Sequence, residues 1–152
     1  MTNSATAAIT LRRASQEDVP AIEQLLRATK LPVDGLKDSV DSFIVAEDNG
    51  RMMGVAGVER HGAYGLLRSV AVDPRARRRG LGRALVERLI AESKENGIAE
   101  LYLLTTTAEK YFPVFGFTKI SREATPVEIQ ETDEFTDLCP STATVMRRVL
   151  KT

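Results

Sequence analysis

One segment constrains the fold of this chain more than any other: an apolar strand, an arginine-rich turn and an amphipathic helix follow one another between Leu66 and Leu89. The strand reads LLRSVAV, the turn reads DPRARRRG, and glycines at positions 80 and 82 flank the helix start. A helix start leaves about four backbone N–H groups without intrahelical partners, and glycines let a ligand approach them closely. Arginine adds a fork of donors that fits phosphate oxygens. The segment therefore predicts an anion site, suited to a pyrophosphate, at the helix start.

The spacing Arg77-x-x-Gly80-x-Gly82 differs from both common nucleotide-binding loops. This loop has no lysine before a Ser or Thr, as a Walker A loop requires, and it lacks the third glycine of a G-x-G-x-x-G spacing. ATP and NAD are therefore weaker candidates than another phosphate-bearing cofactor. A solvated charge cluster or a nucleic-acid patch is the alternative interpretation of the arginines.

Apolar patterns and turn signals predict a meander of strands before the helix and further strands after it. An Asn-Gly pair at positions 49 and 50, between two apolar runs, predicts an antiparallel hairpin. The helix is expected to close at Gly97, where glycine suits a left-handed cap. The following strand, Leu101 to Leu104, predicts parallel pairing through a right-handed crossover. We therefore predict a mixed, mostly antiparallel α/β sheet flanked by about four helices.

Composition limits the number of domains and the function classes. With 152 residues and 43% hydrophobic content, we expect a flexible stretch at residues 1–8 and one domain over residues 9–152. Basic and acidic residues balance at 21 each, which argues against nonspecific nucleic-acid binding. No apolar run reaches the roughly 20 residues that span a bilayer. The single cysteine, Cys139, has no companion for a disulfide or a zinc site, so we expect a cytoplasmic protein without a metal.

The Arg-x-x-Gly-x-Gly pattern after a strand resembles the acyl-CoA loop of the GNAT superfamily of N-acyltransferases, and a second motif follows in that family's order. This motif is a short helix with aromatic residues that runs into Gly116-Phe117. The resemblance implies a GNAT fold in which splayed parallel strands and the loop hold acetyl-CoA as a cosubstrate. The implied cofactor-binding residues are Val70, Ala71, Val72, Arg77, Arg78, Arg79, Gly80, Leu81, Gly82, Arg83, Ala84, Thr105, Thr106 and Phe112.

The resemblance also implies a tyrosine that protonates the departing thiolate, and Tyr111 is the tyrosine of this segment. The family places an aromatic residue four positions before Gly-Phe, and here that position holds Phe112. Because Tyr111 is rotated by about 100° from Phe112 on a helix, a core or lid aromatic is its alternative role.

The general base has several candidates, because Arg68 stands on the strand where many family members carry a glutamate. A carboxylate acting through water would suffice, and Glu47 and Glu59 are candidates, of which we select Glu59. A solvent-facing strand position is the alternative for either residue. His61 lies in a glycine-containing turn, where we expect an exposed loop residue.

Arg68 places a cation on the central strand, which suits an acceptor with a carboxylate or another oxyanion. A structural ion pair with a nearby acid is the alternative. After Gly-Phe, the polar stretch from 121 to 140 is expected to cap one side of the acceptor cleft. The Tyr111-Phe112 pair, this insertion and the run LCPSTA before a Met-Arg-Arg strand resemble the arsenic-resistance-associated N-acetyltransferases, a branch close to amino-acid N-acetyltransferases.

That second resemblance implies acetylation of the α-amino group of a small anionic amino acid or of an arsenical such as arsinothricin. The implied acceptor contacts are Arg68, Ser69, Cys139, Ser141 and Thr142. The alternative for Cys139 is a small buried hydrophobe. No Ser, Cys or Thr has an evident histidine partner, so we predict direct attack of the amine on bound acetyl-CoA.

Other function classes stay open at this point. They are a metabolic, glutamate-like N-acetyltransferase, a noncatalytic acyl-CoA-binding sensor, an acetyltransferase for protein amines and a small nucleic-acid module. An exposed sheet edge near the C-terminus would allow a homodimer without requiring one.

Overall fold

The structure is a computed structural model that describes residues 9–31, 33, 36–76, 80–106, 108–132, 135 and 143–150. Its strands are β1 (Ile9–Arg13), β2 (Phe43–Asp48), β3 (Arg51–His61), β4 (Tyr64–Val72), β5 (Glu100–Thr105), β6 (Thr118–Ile120) and β7 (Thr144–Val149). Its helices are α1 (Val19–Ala28), α2 (Leu36–Ser39), α3 (Leu81–Glu95) and α4 (Val127–Gln130). Short 3₁₀ turns lie at Gln16–Asp18, Val40–Ser42, Pro74–Ala76 and Phe112–Phe115.

The strands form one seven-stranded mixed sheet in the order β1-β2-β3-β4-β5-β7-β6. β1 pairs with β2, β2 with β3, β5 with β7 and β6 with β7 in antiparallel fashion, whereas β4 and β5 are parallel. The parallel pair is connected through α3, as the crossover rule predicts. The expected mixed, mostly antiparallel α/β sheet is confirmed.

Local turn chemistry explains where several elements end. Asn49 and Gly50 have φ angles of 52° and 80°, which is the left-handed pair that a tight hairpin between β2 and β3 requires. Helix α3 ends at Glu95, and Gly97 follows with φ 80°. Glycine adopts this conformation at no steric cost, so the predicted helix end is confirmed.

The first of two compact units comprises the chain up to residue 57 and residues 69–89. Its core forms where the apolar stripe of α1 packs on β2, β3 and β4. The buried residues of this cluster are Ala14, Val19, Ile22, Leu25, Leu26, Leu36, Val40, Phe43, Val45, Val55 and Ala71. Gly57 permits this packing, because a Cβ there would lie 3.0 Å from the Phe43 ring.

The second unit comprises residues 58–68 and the chain from residue 90 onward. Leu66, Tyr102 and Ile129 form a buried cluster. Partly buried Tyr64, Leu104, Ile120 and Phe135 pack against it. Because Ile129 belongs to this core, the polar segment after β6 is anchored by α4 and is not only a solvated loop.

The prediction of one domain over residues 9–152 stays a prediction. None of the helices that the structure describes combines the length and the hydrophobicity of a membrane-spanning segment.

Candidate active site

The parallel ladder between β4 and β5 is short, and it ends before either strand does. Residues 64–66 of β4 pair with residues 100–102 of β5. β4 continues to Val72 and β5 to Thr105. The carboxyl-terminal parts of both strands therefore lie outside the parallel ladder.

Ser69 lies within β4 and has a left-handed backbone conformation, at φ 58°. A non-glycine residue held there costs of order 1–3 kcal/mol, and such strain clusters at functional sites. Ser69 directly follows Arg68, and both residues were predicted to contact the acceptor. The sequence gives no warning of this strain, because serine is not a residue that marks a left-handed position.

The predicted anion site lies at the start of α3. Gly80 has φ 75°, and its carbonyl accepts the Ala84 N–H at 3.0 Å. The N–H groups of the first helical turn point out of such a helix start. The side chain of Leu81 is buried, whereas Arg83 is exposed and pairs with Glu87 at 3.1 Å. Arg77, Arg78 and Arg79 lie outside the described residues, so their predicted role stays a prediction.

Helix α3 packs closely on β3 at Leu85. Gly54 on β3 faces the helix, and a Cβ there would lie 3.1 Å from Leu85 Cδ1 and 3.3 Å from the Ala71 carbonyl oxygen. Ala71 itself is buried in the core of the first unit, so its backbone is the part that could meet a cofactor. Val70 and Val72 are half-buried.

The turn between β4 and α3 is held by Asp73. Its N–H donates to the Met53 carbonyl at 2.7 Å, and its carboxylate accepts the Arg75 N–H and the Arg75 guanidinium, each at 2.9 Å. The Arg75 side chain lowers the pKa of Asp73 to about 2. Arg75 is therefore already engaged in shaping the turn.

Arg68, Glu59 and His61 form a charged cluster on neighbouring strands. The Arg68 side chain is only 4% exposed, and its guanidinium forms an ion pair with Glu59, which is 22% exposed. The other carboxylate oxygen, Oε1, lies 3.3 Å from Nε2 of His61. The ion pair that sequence analysis kept as an alternative is present, and it joins the predicted base to the predicted acceptor anchor. The expectation for His61 was wrong, because it is the last residue of β3 and half-buried.

Tyr111 and Phe112 have different environments. Phe112 is buried, with its ring 5.9 Å from the Phe117 ring. Tyr111 is 40% exposed, and its ring lies edge-on to Phe112 and Phe115, 5.2 Å from each. Tyr111 thus lies at the rim of an aromatic cluster with an accessible side chain. This position fits a proton donor and a lid residue equally, and the predicted catalytic role stays a prediction.

Thr105, the last residue of β5, makes a hydrogen bond to the chain that follows the strand. Its hydroxyl accepts the Ala108 N–H at 2.9 Å, while Thr106 is exposed. Gly116, at φ 87°, ends the 3₁₀ turn Phe112–Phe115. The predicted short helix before Gly-Phe is therefore a 3₁₀ turn.

Tyr102 is a buried polar residue that sequence reasoning missed. Its hydroxyl donates to Glu100, and burial together with this hydrogen bond raises the pKa of Tyr102 well above its ordinary value. The ring lies 6.0 Å from that of Tyr64 in an edge-on arrangement. The only sequence signal was a tyrosine within an otherwise apolar strand.

Three predicted acceptor contacts, Cys139, Ser141 and Thr142, lie outside the described residues, and so their roles stay predictions. Among the described side chains, no group of three or more His, Cys, Asp or Glu residues is placed to hold a metal ion.

Residues 39–119 match a family model described as an acetyltransferase (GNAT) domain. An amino-acid acetyltransferase of Mycobacterium tuberculosis is 35% identical over 134 residues, which cover 82% of this chain and 75% of the relative. An amino-acid acetyltransferase of Escherichia coli K12 is 26% identical over 125 residues, and the match covers 76% of this chain and 28% of the relative.

Two solved structures share the fold. N-acetylglutamate synthase from Neisseria gonorrhoeae, complexed with coenzyme A and N-acetyl-glutamate, has a TM-score of 0.83 at 23% identity; the match covers 95% of this chain and 35% of the synthase. A Mycobacterium tuberculosis protein in complex with CoA has a TM-score of 0.80 at 27% identity, covering 93% of this chain and 99% of that one. This chain thus spans about a third of the gonococcal synthase.

Proposed function

The chain belongs to the GNAT family of acetyltransferases, and we propose that it transfers the acetyl group of acetyl-CoA to the α-amino group of a small anionic amino acid. We infer the acceptor class from the burial of Arg68. This cation lies on β4, the strand that leads to the predicted cofactor loop. The relatives named as amino-acid acetyltransferases support the same class of acceptor.

The cofactor assignment is supported by the helix start at Leu81. Backbone N–H groups of the first turn of α3 would bind the pyrophosphate, because the helix dipole and unpaired donors favour an anion there. The end of the parallel ladder after Leu66 leaves the later part of β4 to hold the pantetheine arm. Two of the solved structures with this fold contain CoA.

The acceptor would be oriented by its anionic group. A guanidinium offers two parallel donors to a carboxylate or another oxyanion, which fixes both position and orientation. An arsenical amino acid such as arsinothricin fits the same description, since it combines an α-amino group with an anionic end. A cationic amine such as an aminoglycoside would be repelled by Arg68.

The reaction needs no covalent enzyme intermediate. The ammonium loses one proton to Glu59, and the neutral amine attacks the thioester carbonyl carbon. The C–N bond forms and the C–S bond breaks. The departing thiolate takes up a proton, for which Tyr111 is the proposed donor. The nitrogen gives its second proton through water to the Tyr111 phenolate, and Glu59 releases the first proton to solvent, so both residues are restored. Most of the rate enhancement would come from positioning the two substrates.

A metabolic role on glutamate itself is the second candidate. It is favoured by the relatives' names and by the gonococcal structure that holds N-acetyl-glutamate. Arsenical resistance and glutamate acetylation use the same reaction and the same Arg68, so they differ only in the preferred acceptor.

The test is CoA thiol release from acetyl-CoA with a panel of amines. The panel contains glutamate, other amino acids, phosphinothricin, arsinothricin, an aminoglycoside and a lysine peptide. We expect turnover confined to the anionic amino acids, and the ratio of kcat/KM for arsinothricin and glutamate separates the two candidates. Binding of acetyl-CoA without turnover on any amine would favour the sensor class instead.

A further inference from the structure

The ion pair between Arg68 and Glu59 is buried unequally. The Arg68 side chain is 4% exposed, whereas that of Glu59 is 22% exposed. A buried guanidinium needs a counter-ion, because removing one partner of a buried pair leaves an uncompensated charge. Glu59 reaches solvent more easily, so it is the partner that can move with less desolvation cost.

Glu59 has a second partner on its own strand. Oε1 of its carboxylate lies 3.3 Å from Nε2 of His61, while Oε2 faces Arg68. If Glu59 swings away from Arg68, His61 can keep one oxygen bound. The His61 imidazole therefore gives Glu59 a contact that does not depend on Arg68.

We propose that Glu59 is an exchangeable counter-ion, which the carboxylate of the substrate displaces from Arg68 and which then binds the ammonium of the same substrate. This inference rests on the proposed function and deepens it, because it requires the acceptor to be a zwitterion. One protein ion pair is replaced by two ion pairs with the substrate, and Arg68, Glu59 and the ammonium each keep a counter-charge.

The exchange discriminates by charge. An amine without a carboxylate leaves Glu59 on Arg68 and brings its own cation next to a guanidinium. A carboxylic acid without an amine displaces Glu59 but provides no ammonium for Glu59 to bind. Only an α-amino acid or a similar zwitterion satisfies both partners, and its ammonium then faces the carboxylate that takes up its proton.

A gain of binding tests the exchange. Glutarate carries the two carboxylates of glutamate and no amine, so in the wild-type protein it must compete with Glu59. In Glu59→Gln the competitor is gone, and we expect CoA-saturated protein to bind glutarate about tenfold more tightly in calorimetry. Glutarate that binds both proteins equally, or binds neither, would overturn the proposal.

Two further variants serve as a second test and as a control for this result. Glu59→Asp keeps the charge and shortens the side chain, so we expect a smaller gain in glutarate affinity than in Glu59→Gln. This variant also provides the test if Glu59→Gln folds poorly. Asp18→Asn is the matched control, because it removes a carboxylate from Arg12, at 2.8 Å, outside the cluster. A similar gain in Asp18→Asn would show a general effect of net charge and would contradict the exchange.

Failure of the exchange is distinguishable from failure of the proposed function. If the wild-type protein acetylates glutamate but Glu59→Gln gains no affinity for glutarate, the exchange is wrong and the acetyltransferase stands. If no zwitterion is acetylated although glutarate binding improves in Glu59→Gln, the binding exchange stands and the proposed reaction is wrong.

Discussion

Replacing Arg68 with methionine separates a structural role of the Arg68–Glu59 ion pair from a role in acceptor binding. Methionine fills much of the same volume and removes the charge. Breaking a fully buried pair costs about 3–5 kcal/mol, but Glu59 is partly exposed and retains His61, so we expect about 2 kcal/mol. For a chain of this length that loss lowers Tm by about 4–8 °C.

The kinetic effect has a different origin. A charge-assisted contact to the substrate carboxylate is worth about 1.5–3 kcal/mol, so kcat/KM for the amino acid should fall about 10–150-fold in Arg68→Met. The KM for acetyl-CoA should stay unchanged, because the predicted cofactor contacts lie elsewhere. Steady-state kinetics below the melting transition, with thiol detection, measure both constants.

Arg12→Met is the matched control for this prediction. Arg12 also pairs with carboxylates, with Asp18 at 2.8 Å and Glu47 at 2.7 Å, and its side chain is 39% exposed. We expect Arg12→Met to lose stability and to keep kcat/KM within about twofold. Arg68→Met that melts earlier but keeps full kcat/KM would refute the acceptor role and leave Arg68 a structural residue.

Three other predictions concern packing, proton transfer and acid stability. Gly65→Ala places a Cβ 2.8 Å from Leu101 Cδ2 and 2.9 Å from Val58 Cγ1, so urea melts should show a loss of about 1–3 kcal/mol in the free energy of unfolding. An undiminished stability would contradict the close contacts. Tyr111→Phe keeps the aromatic contacts and removes the hydroxyl. If Tyr111 protonates the thiolate, kcat should fall at least about tenfold. An unchanged kcat would instead identify Tyr111 as a lid residue. Hydrogen bonds from Arg12 lower the pKa of Asp18 to about 2, so its contribution to stability is present above about pH 4 and is lost as pH falls toward 2. Urea melts of Asp18→Asn should therefore show a shallower pH dependence in that window, and equal slopes would count against it.

The fold was predictable because its signals are local. The Asn49-Gly50 turn, the glycine after α3 and the apolar periodicity of that helix each specify one element without reference to distant residues. The strand-helix-strand order then restricts β4 and β5 to parallel pairing. For these reasons the predicted element order and the predicted mixed sheet agree with the structure.

The geometry of the candidate site was less predictable, because it depends on contacts between strands. Nothing in the local pattern of β3 places Glu59 against Arg68, since that contact requires the arrangement of two strands. His61 was predicted to lie in a loop, but β3 extends as far as this residue. Its Nε2 therefore lies on the same strand as Glu59, 3.3 Å from the Glu59 carboxylate. Ser69 carries backbone strain that its residue type does not predict.

The most direct test of the account identifies the product. The protein is incubated with acetyl-CoA carrying a labelled acetyl group and with the acceptor that releases CoA fastest, and the products are analysed by mass spectrometry and NMR. The account predicts one labelled acetyl group on the α-nitrogen of an anionic amino acid, in equal amount to the CoA released. Released CoA without an acetylated amino acid, or label found only on lysine side chains, would contradict it.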